Sequence, residues 1–261
     1  MAVAAEAPLR RRGARSQALD RLWLVLALVA LWQILHWIAG PAVVTSPAAT
    51  VKKLAAIVSD AEFPDHAAET GRAFLTALAI SLLGGLAAGL ALGANRLAGE
   101  VAEPLLVALY SIPKITLYPV ILLLFGLGLS AKIAFGALHG IIPVILFSMN
   151  AVRNIRGVYL RAARAMRLTA LQTAWHVLLP ATLPEIVSGF RLGFALTLLG
   201  TLIGEMFASQ RGVGYLLIQA METNDVATIM ALALLLVTIA TLASWGLLAL
   251  DRGLHRRMNQ G

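Results

Sequence analysis

RAARAMRLTALQTAWHVLLP, residues Arg161–Pro180, is a polar island between two stretches that are each long and apolar enough to cross a bilayer. Tyr159, Ala162, Ala163 and Met166 recur at i, i+3, i+4 and i+7, which predicts a short helix with one small, apolar face. Arg153, Arg156, Arg161, Arg164 and Arg167 populate its other sides. Thr169 followed by Gln172 is a capping-box pattern, so a second helix starts at Ala170. Its apolar face is Leu171, Ala174, Trp175, Leu178 and Leu179, and Pro180 is expected to end it. Pro184 and Glu185 suit the N-terminal turn of the next span, where an acid favours the helix dipole. The predicted result is a helix–turn–helix lying across one face of a membrane.

The flanking composition sets the class. The chain is 59% hydrophobic and 13% charged, far from the mix of an ordinary soluble domain. Spans of the ~30 Å hydrocarbon core are predicted near Leu22–Ile38, Ala73–Ala94, Leu105–Leu127, Ile133–Ala151, Ile186–Phe207 and Val226–Leu250. Backbone groups in lipid must bond within their own segment, and the alternation of a membrane barrel is absent, so these are helices. Arg10, Arg11, Arg12 and Arg15 before an apolar run resemble the start of a signal peptide. No A-x-A site follows in Ala39-Gly40-Pro41, so the first span reads as an uncleaved anchor. The chain has no cysteine, which excludes disulfides and thiolate metal sites.

The net charge of +8 is placed by topology rather than for nucleic acid. With the N-terminus inside, most Lys and Arg outside the spans fall on the inner segments; Lys52, Lys53, Arg72, Lys132 and Arg211 fall on the outer ones. That asymmetry puts both termini in the cytoplasm of a multi-pass protein. Three parts are expected: a basic tail over 1–21, a transmembrane unit over 22–250, and a cytoplasmic tail over 251–261. Met1–Ser16 is expected to be disordered. Gly40–Gly71 is read as the main external connection, Asn95–Pro104 as a short internal one and Gly128–Lys132 as a tight external turn. Arg153–Glu185 is the large internal loop, and Ala208–Asp225 lies outside. After Pro47, Val51, Leu54, Ala55 and Val58 suit a short helix on the membrane surface.

The Arg161–Pro180 segment resembles the "EAA" loop of permease subunits of bacterial ABC importers: Glu-Ala-Ala, three residues, Gly, nine residues, then Ile-x-Leu-Pro. Ala162-Ala163 supply the paired alanines and Val177-Leu178-Leu179-Pro180 close the motif. Arg161 stands in place of the usual Glu, and Arg167 in place of the usual Gly. The likeness extends over roughly residues 47–252. TSPAATVKKLAAIV, SIPKITLYPVILLLFGLGLSAKI and GEMFASQRGVGYLL are similar to segments of the nitrate/sulfonate/taurine branch. The resemblance implies an all-α integral membrane protein, a six-helix bundle with a cytoplasmic coupling helix–turn–helix, in the bacterial inner membrane. It implies a coupling role for Arg161, Ala162, Ala163, Met166, Arg167, Thr169, Trp175, Val177, Leu179 and Pro180. The implied partners are a second permease subunit forming a homodimer, ABC ATPase subunits that hold ATP and Mg, and a periplasmic or lipid-anchored substrate-binding protein. The chain itself would bind no cofactor and no metal, and would carry nitrate, a sulfonate such as taurine, or a vitamin precursor.

The spans add independent detail. Ser81, Gly85, Gly89 and Gly93 repeat every four residues, and Gly189/Gly193 and Gly200/Gly204 repeat the device, which lets helices approach closely. Pro113 and Pro119 interrupt the third span, with Lys114 and Thr116 between them. Broken helices at membrane depth border cavities or protein. An ammonium there costs on the order of 3 kcal/mol unless hydrated or paired. Lys114, Thr116 and Glu205 are therefore candidates to line a translocation path; the bland alternatives are a structural ion pair or snorkelling. Arg191, about a turn inside the inner boundary, reads as reaching the headgroups. No G-x-x-x-x-G-K-[ST], H-E-x-x-H or G-x-S-x-G occurs, and the five histidines are scattered, so an enzyme has little to stand on. The competing class is a self-sufficient ion-coupled transporter or channel using Lys114 and Glu205, disfavoured by the lack of an evident inverted repeat.

Overall fold

A computed structural model describes residues 14–258; Arg10–Arg12 of the basic tail and the last three residues lie outside that range. Helix α1 (Ala14–Ala39) carries the first apolar stretch, and Gly40, at φ 81°, follows it. It begins at Ala14, so the predicted tail is helical from that residue on. Helix α2 (Pro47–Val58) starts at Ser46, whose Oγ accepts the Ala49 N–H at 3.2 Å, with Pro47 in the first turn. Thr50, Lys53, Leu54 and Ile57 turn inward, and of the apolar set expected on the membrane surface Val51, Ala55 and Val58 stay exposed while Leu54 turns inward. Polar contacts set that rotation, because Thr50 bonds Thr45 Oγ1 at 2.7 Å and Lys53 pairs with Asp225 at 3.5 Å.

The second span is a rod of 32 residues, Phe63–Ala94, made of α3 (Phe63–Ala79), a π-helical turn (Ile80–Gly84) and α4 (Gly85–Ala94). It starts earlier than the apolar run at Ala73, because the polar side chains of its first turns find partners described below. Asn95 ends it and caps α5 (Arg96–Ser111), accepting the Ala98 N–H at 3.1 Å. The predicted loop Asn95–Pro104 is thus a one-residue turn followed by helix. The third predicted span is not straight. A 3₁₀ turn (Lys114–Leu117) and α6 (Tyr118–Phe125) follow α5, and the two arms meet at 90°. Pro113 and Pro119 remove N–H donors there and bias Ile112 away from the helical region.

Gly126 and Gly128, at φ 72° and 112°, make the turn into α7 (Leu129–Arg153). Next come α8 (Gly157–Ala165), α9 (Ala170–Thr173), a second π-helical turn (Ala174–Leu178) and α10 (Leu179–Ala208). Pro180 does not end a helix, and Pro184 lies within α10. The π turn shifts bonding from i+4 to i+5 just before Pro180, so the missing N–H falls where the ladder has already been loosened. Helices α11 (Val213–Glu222) and α12 (Val226–Met258) complete the chain. The expected C-terminal tail is therefore a continuation of α12, and the segment after Ala208 holds a helix that periodicity had not marked. Five described helices are long and apolar enough to cross a membrane, or six if the bent pair counts as one span.

Small residues decide how these rods meet. α7 is the central one: 61% of its apolar window is buried, against none of α1's. On one side, a methyl group on Gly85 would lie 2.7 Å from Val144 Cβ, and one on Gly89 would lie 2.6 Å from Ser148 Cβ. On the other, methyl groups on Gly193 and Gly200 would lie 2.5 Å from Val144 Cγ2 and 2.7 Å from His139 Nδ1. Both glycine stripes therefore face α7 inside one chain. Thr197 Oγ1 donates to Ser81 Oγ at 3.2 Å across that core. Tyr118 anchors α6 to it, stacking edge-on to Phe135 at 4.9 Å and donating to Gly204 O at 2.9 Å.

Candidate functional site

Two polar assemblies lie at opposite ends of the bundle. The first is the hairpin of α8 and α9. Ala163 is 2% exposed and is the buried residue of α8; α8 packs against the Ala174–Leu178 turn. Tyr159, Arg161, Ala162, Met166, Arg167, Thr169, Trp175, Leu179 and Pro180 are exposed, and Val177 is half-buried. The predicted apolar face thus keeps one member inward and leaves Tyr159, Ala162 and Met166 open.

Its turn is built by local hydrogen bonds. Leu168 N–H donates to Ala163 O at 3.0 Å and Arg167 N–H to Arg164 O at 3.0 Å. That pair is the Schellman pattern, which wants a left-handed residue after the cap. Arg167 takes that place at φ 53°. This is the position where the "EAA" pattern has glycine, and a side chain there costs roughly 1–2 kcal/mol. Thr169 and Gln172 then form the predicted capping box: Thr169 N–H donates to Gln172 Oε1 at 2.9 Å, and Gln172 N–H to Thr169 Oγ1 at 3.3 Å.

The second assembly lies where α10 leaves the bundle. Glu205 is wholly buried. Its Oε2 accepts from Thr70 Oγ1 and from Gly214 N–H, both at 2.9 Å, and Thr70 Oγ1 in turn accepts the Val213 N–H at 2.8 Å. Gly212 N–H donates to His66 Nδ1 at 3.1 Å. Lys132, 1% exposed, donates to Glu69 Oε1 at 2.9 Å and to Arg211 O at 3.0 Å. Side chains from α3, α7 and α10 thus hold four successive backbone positions, 211–214. Gly212, at φ 121°, has no room for a side chain, because a Cβ would collide with the Glu205 carboxylate. A cavity of about 540 Å³ opens beside this turn, lined by Glu69, Lys132, Phe207 and Gln210 among others.

Of the three residues expected along a path, Lys114 and Thr116 sit together at the bend of the broken span. Lys114 Nζ donates to Tyr110 O at 3.1 Å and lies 4.8 Å from that ring's centre; Thr116 Oγ1 donates to Pro113 O at 2.8 Å. Glu205 is apart from them, in the second assembly. Lys132 had been counted as a charge in an external turn, and is instead a buried ion-pair partner. Glu69, Thr70 and His66 went unread because they precede the apolar run. The signal available was Glu205 followed by Gly212 and Gly214, an acid shortly before two residues able to bring backbone N–H groups close.

The sequence pattern of the family described as "Binding-protein-dependent transport system inner membrane component" matches residues 74–260, well over half of the chain. The chain belongs to that family. It is therefore a membrane-spanning permease component of ABC transport rather than an enzyme in its own right. Taurine transport system permease protein TauC of Escherichia coli (strain K12) is 27% identical over 237 residues, covering 88% of this chain and 86% of its own. Formylaminopyrimidine transport permease protein ThiX of Halalkalibacterium halodurans is 28% identical over 200 residues, covering 76% and 80%. Among solved structures, a chain of the MetNI methionine ABC transporter, from inward-facing conformations, matches with a TM-score of 0.59 at 21% identity. The match covers 70% of this permease and 93% of that chain, and shows the shared fold.

Proposed function

We propose that this permease works as one of two identical membrane subunits of a bacterial importer, passing a small solute delivered by a binding protein. The solute class is nitrate, a sulfonate such as taurine, or a vitamin precursor; the full-length likeness to a taurine permease favours the sulfonate. The hairpin of α8 and α9 faces the cytoplasm with both termini, and the 209–214 turn faces outside, as the positive-inside asymmetry supports. ATP and Mg would reside on the ATPase, which would push on the hairpin; this chain would bind no cofactor. Lys114 and Thr116, at the bend of the broken span, would border the path. A second copy would cover surfaces such as α1, whose apolar window has no buried residue.

The observation that carries the coupling role is the hairpin's open apolar face. Tyr159, Ala162, Met166 and Trp175 are exposed on a hairpin that lies between apolar spans and carries Arg156, Arg161, Arg164 and Arg167 around them. Exposed apolar clusters rimmed by charge mark protein contact sites. Ala163 makes a poor probe, because it is buried within the hairpin and an acid there would disturb the fold. Ala162→Glu is the better test. Co-expressed with its ATPase and purified in detergent, the native chain should retain that subunit and drive taurine uptake in proteoliposomes. Ala162→Glu should lose both with an unchanged melting profile. Full ATPase retention and uptake by the variant would refute the coupling role; native uptake without ATP would favour the ion-coupled alternative.

A further inference from the structure

Arg191 lies inside α10 and is half-buried, yet among the described residues no carboxylate or carbonyl bonds its guanidinium. A cation at membrane depth needs a counter-charge or water. Sixteen residues separate it from Phe207, about 24 Å of helix, against a hydrocarbon core of about 30 Å. With Phe207 near one boundary, Arg191 stops about 6 Å short of the other. That distance is within reach of its extended side chain.

What surrounds Arg191 has two parts. A cavity of about 320 Å³ is lined by Ser188, Arg191, Leu192, Ala195 and Ser244, with no acidic residue among the described residues. It adjoins an apolar cavity of about 310 Å³ between α10 and α12, and Ala195 and Ser244 line both. The apolar part reaches Leu202 on α10 and Leu236 on α12. Leu198 on α10 and Ala240 on α12 also line the apolar part. Arg191 to Leu198 is about 10 Å of helix, which with the roughly 6 Å beyond Arg191 matches the ~15 Å depth of one leaflet. Ser188 already donates to Pro184 O at 3.0 Å, so its oxygen offers no second hydrogen, and among the described residues Arg191 is the one charged group in the lining.

We propose that this composite groove is a binding site for an anionic phospholipid of the leaflet on the hairpin side. The Arg191 guanidinium holds the phosphate, and one acyl chain runs between α10 and α12 over Ala195 toward Leu198 and Ala240. A guanidinium matches phosphate in charge and in forked geometry, and basic pockets between membrane helices are suited to such headgroups. The site does not depend on which solute the permease carries, nor on the hairpin's partner. It rests only on the helices spanning a bilayer.

The test is native mass spectrometry of the whole permease in its assembled complex, after exchange into mixed phosphatidylglycerol and phosphatidylcholine micelles. The native chain should retain phosphatidylglycerol over phosphatidylcholine. Arg191→Gln should cut that preference about fivefold, the effect of one cation near a lipid surface. Arg191→Lys should keep most of it. Ala195→Phe, which fills the junction of the two cavities and leaves the charge in place, should lower retention of both lipids. Equal retention of the two lipids by the native chain would overturn the proposal, as would an unchanged preference in Arg191→Gln. Competition by inorganic phosphate as effective as by lipid would also overturn it, marking a plain anion site. So would a cysteine pair at Ala195 that cross-links two copies in full yield, because the groove would then be an interface between chains.

Discussion

The two ends of this permease solve opposite problems. At one end, backbone positions 211–214 are held by His66, Thr70, Lys132 and Glu205 from three helices, and the ionic side chains among them are almost wholly enclosed. At the other, the hairpin of α8 and α9 is held by its own Schellman turn and capping box, with one buried alanine and an open apolar face. The first is tied by bonds from distant parts of the chain, though the buried Glu205 Oε1 has no hydrogen-bond partner among the described residues, and the second leaves its apolar face open. A turn held from three helices has little freedom to move. A hairpin with mostly local bonds can move as a unit when a partner pushes it.

The sharpest way to break the comparison is at the locked end. Lys132→Ala leaves the Glu69 carboxylate and Arg211 O without their partner. Lys132 is buried but Glu69 is 23% exposed, so losing these charged hydrogen bonds costs about 1–3 kcal/mol, and the detergent melting point should fall clearly. Alanine at exposed Arg161 should leave melting within about 0.5 kcal/mol of native. Equal effects at the two sites would erase the contrast drawn here.

A second contrast lies between core and hairpin. Gly85→Leu forces a side chain into Val144, 2.7 Å from the first atom added, and should destabilise by about 1–3 kcal/mol or more. Arg167→Gly should act in the opposite sense. It relieves a left-handed residue and should stabilise the hairpin by about 1 kcal/mol, read as slower amide exchange over 157–178 with little change elsewhere. If exchange slows across the whole bundle, the hairpin is not an independent unit.

The smallest expected effect is a pH dependence at the locked end. Asp225 caps α12: its carboxylate accepts from Thr228 Oγ1 at 2.6 Å and Thr228 N–H at 3.0 Å. Those bonds, with Lys53 nearby, hold its carboxyl below the usual carboxylate range. A folded value below the unfolded one stabilises above the unfolded value, and the gain is lost as pH falls through the lower, folded one. The melting gap between native and Asp225→Asn should therefore be present at neutral pH and close below about pH 4. A gap that is the same at pH 7 and at pH 3 would mean the carboxylate charge contributes nothing.

Much of this was legible in residue order because it is local. The capping box of Thr169 and Gln172 needs only a spacing of three. The break at Pro113 and Pro119 needs only missing donors, and the apolar runs need only a bilayer's thickness. Other features depended on neighbours far along the chain. Pro180 reads as the end of one helix and Pro184 as the start of the next, yet the rod runs through both because a π turn precedes the first. Val51, Leu54, Ala55 and Val58 read as one face on the membrane surface, yet Leu54 turns inward beside Thr50 and Lys53, which bond Thr45 and Asp225. The open face at Tyr159, Ala162 and Met166 was read as apolar, but its exposure appeared only with the packing.

The sequence by itself determined the class, the apolar segments and the local caps and breaks of this permease, since each follows from composition or from residues within a turn of one another. Tertiary structure alone decided that both glycine stripes face α7 and that Glu205 and Lys132 are buried. Those outcomes depend on pairs such as Thr70 with Glu205, 135 residues apart. No local pattern encodes them, because burial of a charge is tolerable only once its distant partners have arrived.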